Sequence, residues 1–492
     1  MNAPNAPAKK ALPAQARTAL ALLFWLLVWL ALSIRIRNPI LMTSPANAVR
    51  ALGTIVLRAD FWQSVLTSAG RILEGFFLGA AAASLLAALS LRFRFLETLL
   101  RPLLNLFKAT PVAAFSILIL LWIGPSGLAV IIAFLLVSPL FFENVLAGLS
   151  SADAGLLEMA RLHRVPFAGQ IRYIYLPALR PGLTAAFRSG FAMSFKAGIA
   201  AEVIGLPARS IGENLYMAKI HLATEELFAW VIVILLVSWA MEKLLLFALS
   251  LVPGMRPGAA ALPESLLTAA DAPLPAADAG VSFLEDAAPA AQPRAVEMTH
   301  LRKSFGDNTV LPDLTHTFAP GSRTVLRGRS GSGKTTLLRL AAGLESPDAG
   351  TVSGADQRFS MVFQEDRLLP EETAARNLAL VCPGRSAGDL ERLVKKLIPE
   401  ADLAAPVSSY SGGMKRRLAL LRALVSPSQV VLLDEPFTGL DDDSRRLAAR
   451  AVRELLSGRT LIAVSHDGED AGLLDAQEMD LITASEASAQ TV

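Results

Sequence analysis

One cysteine, Cys382, stands among 492 residues. A single thiol excludes an intrachain disulfide and fits a reducing cytosol for the second half. Acidic residues are scarce early in the chain. Residues 1–258 hold 22 Lys+Arg against 11 Asp+Glu, a balance of +11, and the remainder holds 24 against 32, a balance of −8. Tryptophan is missing from the second half, since all six lie at positions 25, 29, 62, 122, 230 and 239. A basic, acid-poor half carrying every Trp fits a membrane domain facing anionic lipid, and the acidic half fits a soluble domain. The basic residues flank apolar runs and form no stripe, so the pI of about 9.0 does not argue for a nucleic-acid partner. Large apolar residues are also few between 253 and 293, where Ala and Pro dominate. That stretch cannot bury a core and reads as a flexible linker.

Apolar residues make up 53% of the chain and mean hydropathy is +0.46, both above the soluble norm. The apolar runs are Thr18–Ile34, Val65–Leu91, Leu99–Ile123, Leu128–Leu149, Leu183–Ile204 and Phe228–Leu251. Each is near the roughly 20 residues that cross a bilayer, which predicts about six helices with both ends of the domain on one side. Lys9, Lys10 and Arg17 precede the first run without a clear cleavage pattern, so it reads as an uncleaved anchor rather than a signal peptide. Arg92, Arg94, Arg101, Arg161, Arg164, Arg172 and Arg180 place their loops inside, whereas Arg35, Arg37, Arg50 and Arg58 break the rule in the first outer loop. The N-terminus is nevertheless placed inside, on the side of the soluble second half.

The second half carries the chemistry. Gly328-Arg329-Ser330-Gly331-Ser332-Gly333-Lys334-Thr335 fits the P-loop pattern, between a β-branched strand at Thr324–Leu326 and a helix at Thr335–Ala342. Small residues let backbone N–H groups turn toward phosphate oxygens, and the helix N-terminus adds partial positive charge. Lys334 is expected at the β/γ-phosphates and Thr335 on Mg²⁺, with Gly328, Ser330, Gly331, Ser332, Gly333 and Thr336 completing the ATP-binding set. Val430–Leu433 reads as a buried strand ending in Asp434, a second Mg²⁺ ligand, and Glu435, a carboxylate suited to orienting or deprotonating water.

Ser411-Gly412-Gly413-Met414 resembles the signature motif of ATP-binding cassette (ABC) proteins. The resemblance implies further roles. Gln364, in Phe363-Gln364-Glu365, would touch Mg²⁺ and the attacking water. Asp441, in Gly439-Leu440-Asp441, would belong to the D-loop. His466, after the strand Thr460–Val464, would contact the γ-phosphate, and Phe305 would stack on adenine. It also implies that Ser411, Gly412 and Gly413 act on ATP held by an opposite copy, so a homodimer is expected. Tyr410 and Met414 stand where the family favours Leu and Gln. The stretch from Gln364 to Ser411 and the tail after His466 are short for the family, and no C-terminal regulatory domain is expected.

Residues 158–177 resemble the EAA loop of binding-protein-dependent importers through Glu158, Ala160, Ile174, Leu176 and Pro177, with Arg164 replacing the usual Gly. That resemblance implies a short helix coupling the two halves. Leu176–Gly182 and Ala201–Gly205 are similar to permeases of the nitrate/sulfonate/taurine group, some of which carry vitamin precursors. Lys196 and Glu202 lie inside an apolar run, where ionisable residues are costly and face a pore or a partner. Lys196 is expected on the translocation path, favouring an anionic or polar solute. The alternative is a structural pair with Glu202 or Glu143, or a snorkelling side chain.

The expected organisation is therefore a cytoplasmic tail at 1–17, an all-α polytopic transmembrane domain at 18–252 with its coupling loop at 153–180, a linker at 253–293, and an α/β P-loop ATPase domain at 294–492. The expected function is import of a small solute across the bacterial cytoplasmic (inner) membrane. Its cofactors are ATP and Mg²⁺, and its partners are a second copy, an extracytoplasmic solute-binding protein and the lipid bilayer. A half-transporter exporter and a membrane-anchored ATPase that regulates a partner are the alternatives.

Overall fold

The computed structural model describes residues 14–38, 40–251, 292–329, 331–382 and 384–481. Most of the expected tail and linker, and Ser330 of the P-loop, lie outside the described residues. The chain divides into two compact units, one of 1–151 with 179–251 and one of 152–178 with 252–492.

The first unit is helical: α1 (Ala14–Ile36), α2 (Pro45–Val56), α3 (Ala59–Arg92), α4 (Arg94–Ala109), α5 (Val112–Ile123), α6 (Pro125–Ser150), then, beyond the second unit's segment, α9 (Leu176–Gly205), α10 (Ile211–Ile220) and α11 (Thr224–Ser250). Close backbone approach sets its central packing. A Cβ on Gly75 of α3 would lie 2.1 Å from the Val130 carbonyl oxygen of α6, and one on Gly79 would lie 2.9 Å from that of Phe134. Small residues four apart let two helices approach where apolar burial alone gives no preference between protein and lipid. Phe76 sits between them, edge-on to Phe141, Phe187 and Phe191.

All six apolar runs form helices, but fewer are clear spans. Among the described residues, α1, α3, α6 and α11 are long and apolar enough to cross a membrane, and a fifth span exists if α4 and α5 count as one. The run Leu99–Ile123 is not one straight helix, because α4 and α5 meet at 106°. The cause is Thr110-Pro111: the residue before proline is extended, at ψ 129, and Pro111 caps α5. The last of the six, α9, has 30 residues but carries Arg180, Arg188, Lys196 and Glu202.

The second unit contains α7 (Ala154–Leu162), α8 (Phe167–Gln170) and a π-turn at Ile171–Tyr175 that leads into α9. It continues with strands β1 (Val296–Phe305), β2 (Asn308–Phe318) and β3 (Arg323–Arg327), α12 (Lys334–Ala341), β4 (Ala349–Ser353) and β5 (Phe359–Val362). Then come α13 (Ala374–Ala379), α14 (Ala387–Leu397), α15 (Gly412–Val425), β6 (Val430–Asp434), α16 (Asp442–Leu456), β7 (Thr460–Val464), α17 (Asp470–Leu474) and β8 (Gln477–Asp480). Five parallel strands run in the order β5-β6-β7-β3-β8, and an antiparallel sheet runs β2-β1-β4. Strands β6 and β7 are buried at every residue, as the apolar runs Val430–Leu433 and Leu461–Val464 require of strands covered on both faces. Ligands bind such sheets at the carboxyl ends of their strands. Here those ends deliver the P-loop after β3, Gln364 after β5, Glu435 after β6 and His466 after β7.

Candidate functional site: a nucleotide pocket and a docked coupling segment

The P-loop geometry follows from its small residues. Gly333 has φ +89, and a Cβ there would sit 2.7 Å from Val310 Cγ1. The Lys334 ammonium, almost fully buried, donates to the carbonyls of Gly328 and Arg329 at 2.8 Å each and lies 3.5 Å from Ser332 Oγ. Burial lowers its pKa, opposed by Glu435 and Asp434. Thr335 and Thr336 open α12, with Thr335 exposed.

Asp434 is buried, and its Oδ2 is enclosed without a hydrogen-bond partner. Burial raises its pKa, Glu435 adds to the rise, and a hydrogen bond with Thr335 is the largest opposing cause. A buried carboxylate with one orphaned oxygen, beside the Thr335 hydroxyl, fits a hard divalent cation such as Mg²⁺. Among the described residues no group of three His, Cys, Asp or Glu could hold a metal.

Glu435 Oε1 lies 3.2 Å from His466 Nε2, and Glu435 Oε2 accepts from Thr438 Oγ1 at 3.2 Å. Its backbone is left-handed, at φ 50, which swings the carboxylate away from the strand line. These residues line a cavity of about 240 Å³ together with Phe437, Arg445 and Ser465. Buried Ser465 bonds Asp470 and accepts from the Asp467 N–H at 3.0 Å, fixing the turn that presents His466. Gln364 is exposed at the end of β5, beside β6. Phe305 is half exposed at the end of β1. Ser411 caps α15 by accepting from Met414 N at 3.3 Å. A Cβ on Gly413 would lie 3.6 Å from Leu440, beside the D-loop, where Asp441 caps α16. Among the described residues no hydrogen bond joins Ser411, Gly412 or Gly413 to the P-loop, so the site brings together Lys334, Thr335, Asp434, Glu435 and His466 without the signature.

The coupling segment docks on the same unit. Asp153 caps α7, accepting from Gly155 N at 2.7 Å and Leu156 N at 3.1 Å. Glu158 Oε2 accepts from Arg367 Nη1 at 2.6 Å, and Oε1 lies 2.5 Å from Arg339 Nη2. Burial pushes its pKa up, but the two guanidiniums outweigh this and hold the carboxyl below its ordinary value. Arg339 lies on the P-loop helix and Arg367 just beyond Gln364. One carboxylate therefore holds two parts of the nucleotide site. Ala160 is buried against Val165, Ile174 and Leu369. Arg164, in place of the usual Gly, has φ 53 at the end of α7. This is the helix-terminal position that favours glycine. Its guanidinium offsets the strain by donating to the carbonyls of Asp356 and Gln357 at 3.1 and 3.3 Å. Pro177, which cannot donate to the helical ladder, follows the π-turn by two residues.

Sequence reading missed Arg339, Arg367 and His163. The first two sit among many unremarkable arginines, and only the fold aims them at Glu158. His163 Nδ1 lies 3.1 Å from Ser426 Oγ, and Nε2 is enclosed without a partner. Burial, with the nearby Arg422 charge, pushes the imidazole down to about 3. An unfolded His titrates near 6.5, so between these values the unfolded chain binds the extra proton. This contribution to stability is complete above pH about 6.5 and declines as pH falls toward 3, by at most about 1.4 kcal/mol per pH unit. The wild-type melting temperature should therefore drop between pH 6.5 and 5 more steeply than that of His163→Gln. Equal slopes in calorimetry would refute the assignment.

In the first unit Lys196 and Glu202 do not share a face. Glu202 is fully buried and accepts from Ser68 Oγ at 2.7 Å and Gly212 N at 3.3 Å, with Arg71 Nη1 at 3.7 Å. It ties α3 to α9 and to the first turn of α10, where a carboxylate is favoured by the helix dipole. Lys196 is exposed and, among the described residues, has no hydrogen bond or ion pair. Among the described residues neither expected structural pair forms: Glu202 is held by Ser68, Gly212 and Arg71, and Glu143 pairs with Lys108.

Comparison with known proteins agrees in both halves. Residues 311–438 match the ABC transporter family, and residues 75–252 match the family of binding-protein-dependent transport system inner membrane components. The aliphatic sulfonates import ATP-binding protein SsuB 3 of Rhodococcus jostii (strain RHA1) is 40% identical over 42% of this chain and 78% of its own length. The Nod factor export ATP-binding protein I of Paraburkholderia xenovorans (strain LB400) is also 40% identical, over 36% of this chain, and the chain spans 64% of that relative's length. Among solved structures, a dimeric ATP-binding cassette in a post-hydrolysis state with ADP and Pi matches at TM-score 0.34 and 22% identity, covering 38% of this chain and 94% of its own. The chain belongs to the ABC transporter family, joining a binding-protein-dependent inner membrane permease domain to an ABC ATPase domain.

Proposed function

We propose that this protein is a fused permease–ATPase half of an ABC importer, working as a homodimer in the bacterial inner membrane with its ATPase domain in the cytoplasm. Glu158 carries the reading. It belongs to an importer-like loop and holds Arg339 of the P-loop helix and Arg367 beside Gln364. Lys334, the P-loop amides and the α12 N-terminus bind and orient the ATP phosphates. Thr335, Asp434 and Gln364 would hold Mg²⁺, a bound ion would supply positive charge to the transferred phosphoryl group, and Gln364 would also touch the attacking water. Glu435 orients the attacking water and takes its proton, and His466 fixes the carboxylate. Ser411, Gly412 and Asp441, all exposed, together with half-buried Gly413, serve the ATP of the second copy. Phe305 stacks on the base.

The ATPase relatives include import and export proteins at equal identity, so they do not choose a direction. The permease match at 75–252 and the Glu158 loop support import driven by an extracytoplasmic solute-binding protein. The solute class is a small anion of the sulfonate or nitrate kind, or a vitamin precursor. Lys196 supports the anionic choice, because an unpaired ammonium on an apolar helix needs water or an anion. The test is ATP turnover in lipid nanodiscs with loaded candidate binding proteins. Stimulation by one of them, lost in Glu435→Gln, supports import. Hydrolysis that no binding protein alters supports export or regulation. Lys196→Met should cut uptake of an anionic solute at least about tenfold, the scale of one lost ionic contact. Wild-type uptake by the folded variant would remove Lys196 from the path.

A further inference from the structure

Arg416 has no part in the chemistry described so far, yet it makes five hydrogen bonds at the carboxyl edge of the sheet. It lies on α15, two residues after the signature motif, and is 5% exposed. Nη2 donates to the carbonyls of Asp434 at 2.5 Å and Glu435 at 2.7 Å. Nη1 donates to the carbonyls of Phe363 at 2.7 Å and Gln364 at 3.3 Å, and to Asp366 Oδ1 at 3.1 Å. Strands β5 and β6 are parallel neighbours paired through Val362 and Leu433, so both chains leave the sheet side by side. Beyond the last β5–β6 rung a single guanidinium collects carbonyls of both chains. Glu435 holds its left-handed φ of 50 at this point, a conformation that a non-glycine residue keeps only when its surroundings impose it.

We propose that Arg416 is a positioning residue for ATP hydrolysis, fixing the Glu435 backbone and the Gln364 segment at one spacing. The proposal rests on the hydrolysis reading above. Arginine is suited to this role because its planar fork presents two nitrogens in fixed directions, one for each segment. A lysine ammonium is a single point and cannot hold two segments at a set separation. The same Gln364 segment runs on to Arg367, whose guanidinium binds Glu158. Its carbonyl accepts from fully buried Arg422 at 2.5 Å. Arg416 is therefore the link between that coupled segment and the water-activating carboxylate.

The test uses the full-length protein in nanodiscs. Arg416→Gln and Arg416→Lys should each lower kcat about 10²-fold, the cost of a small misplacement of a reacting group. The KM for ATP should stay within about threefold, because Arg416 touches no P-loop residue. Unchanged kcat, or a raised KM with kcat kept, overturns the proposal. If the buried substitution does not fold, Asp366→Asn loosens Arg416 from a partner that is 27% exposed. A severalfold fall in kcat at constant KM is then expected, and wild-type kcat overturns the proposal. Glu435→Gln runs alongside. If Glu435→Gln abolishes turnover while the Arg416 variants keep wild-type kcat, the positioning role alone falls. If Glu435→Gln hydrolyses ATP normally, the catalytic reading beneath it falls as well.

Discussion

Glu435→Gln should lower ATP turnover by about 10²- to 10⁴-fold, the usual worth of a positioned general base. The amide keeps the size of the side chain and its reach to Thr438 and His466 but cannot take a proton. Nucleotide affinity should be unchanged, since the proposed phosphate contacts run through Lys334 and the loop that precedes it. The separation between kcat and affinity is the informative part. A variant that loses binding and turnover together would mean that Glu435 shapes the pocket rather than acting on water. Single-turnover kinetics with equilibrium binding of ATP would distinguish these outcomes.

Glu158→Ala should uncouple the two halves. It leaves two guanidiniums, Arg339 and Arg367, without their shared anion, and their side chains are 29% and 15% exposed. Breaking a fully buried pair costs about 3–5 kcal/mol, and partial exposure brings the expectation here to about 2 kcal/mol. Uptake should fall at least about tenfold, and a loaded binding protein should no longer stimulate ATP hydrolysis. Wild-type uptake with intact stimulation would show that docking does not depend on this carboxylate. The pH dependence has a definite sign. The folded pKa of Glu158 is depressed, so its contribution is complete above the ordinary glutamate value. It is lost as pH falls through the lower folded value, so coupling should persist into acid beyond the point where a free glutamate protonates.

The proposed nucleotide site was legible because phosphate binding is local chemistry. Gly328–Thr335 must be contiguous for the loop to turn its amides inward, so the pattern survives in one dimension. Asp434 and Glu435 were equally plain at the end of an apolar run, and the run itself placed β6 in the sheet interior. The Glu158 loop was visible from its spacing, but its partners were not. Arg339 and Arg367 lie 181 and 209 residues from Glu158. Nothing local distinguishes them from the other arginines until parallel strands bring their segments together. Arg416 is the same case, because its role depends on two strand ends meeting side by side. The left-handed backbone at Arg164 and Glu435 was also hidden, since neither residue type announces it.

In the membrane half, hydropathy located the long apolar helices because lipid rewards apolar length, but not the shorter α2 and α10. It did not foresee the 106° break, although Thr110-Pro111 was its local cause, nor that Glu202 is enclosed while Lys196 is exposed. Six residues separate the two on one helix, about 240° around its axis, so only the packing of α3 and α10 decides which of them is buried. Sequence alone determined the domain classes and the phosphate chemistry, which depend on composition and contiguous residues. Tertiary structure decided which charges pair and which stand alone, because an ion pair requires proximity in space and chain order does not supply it.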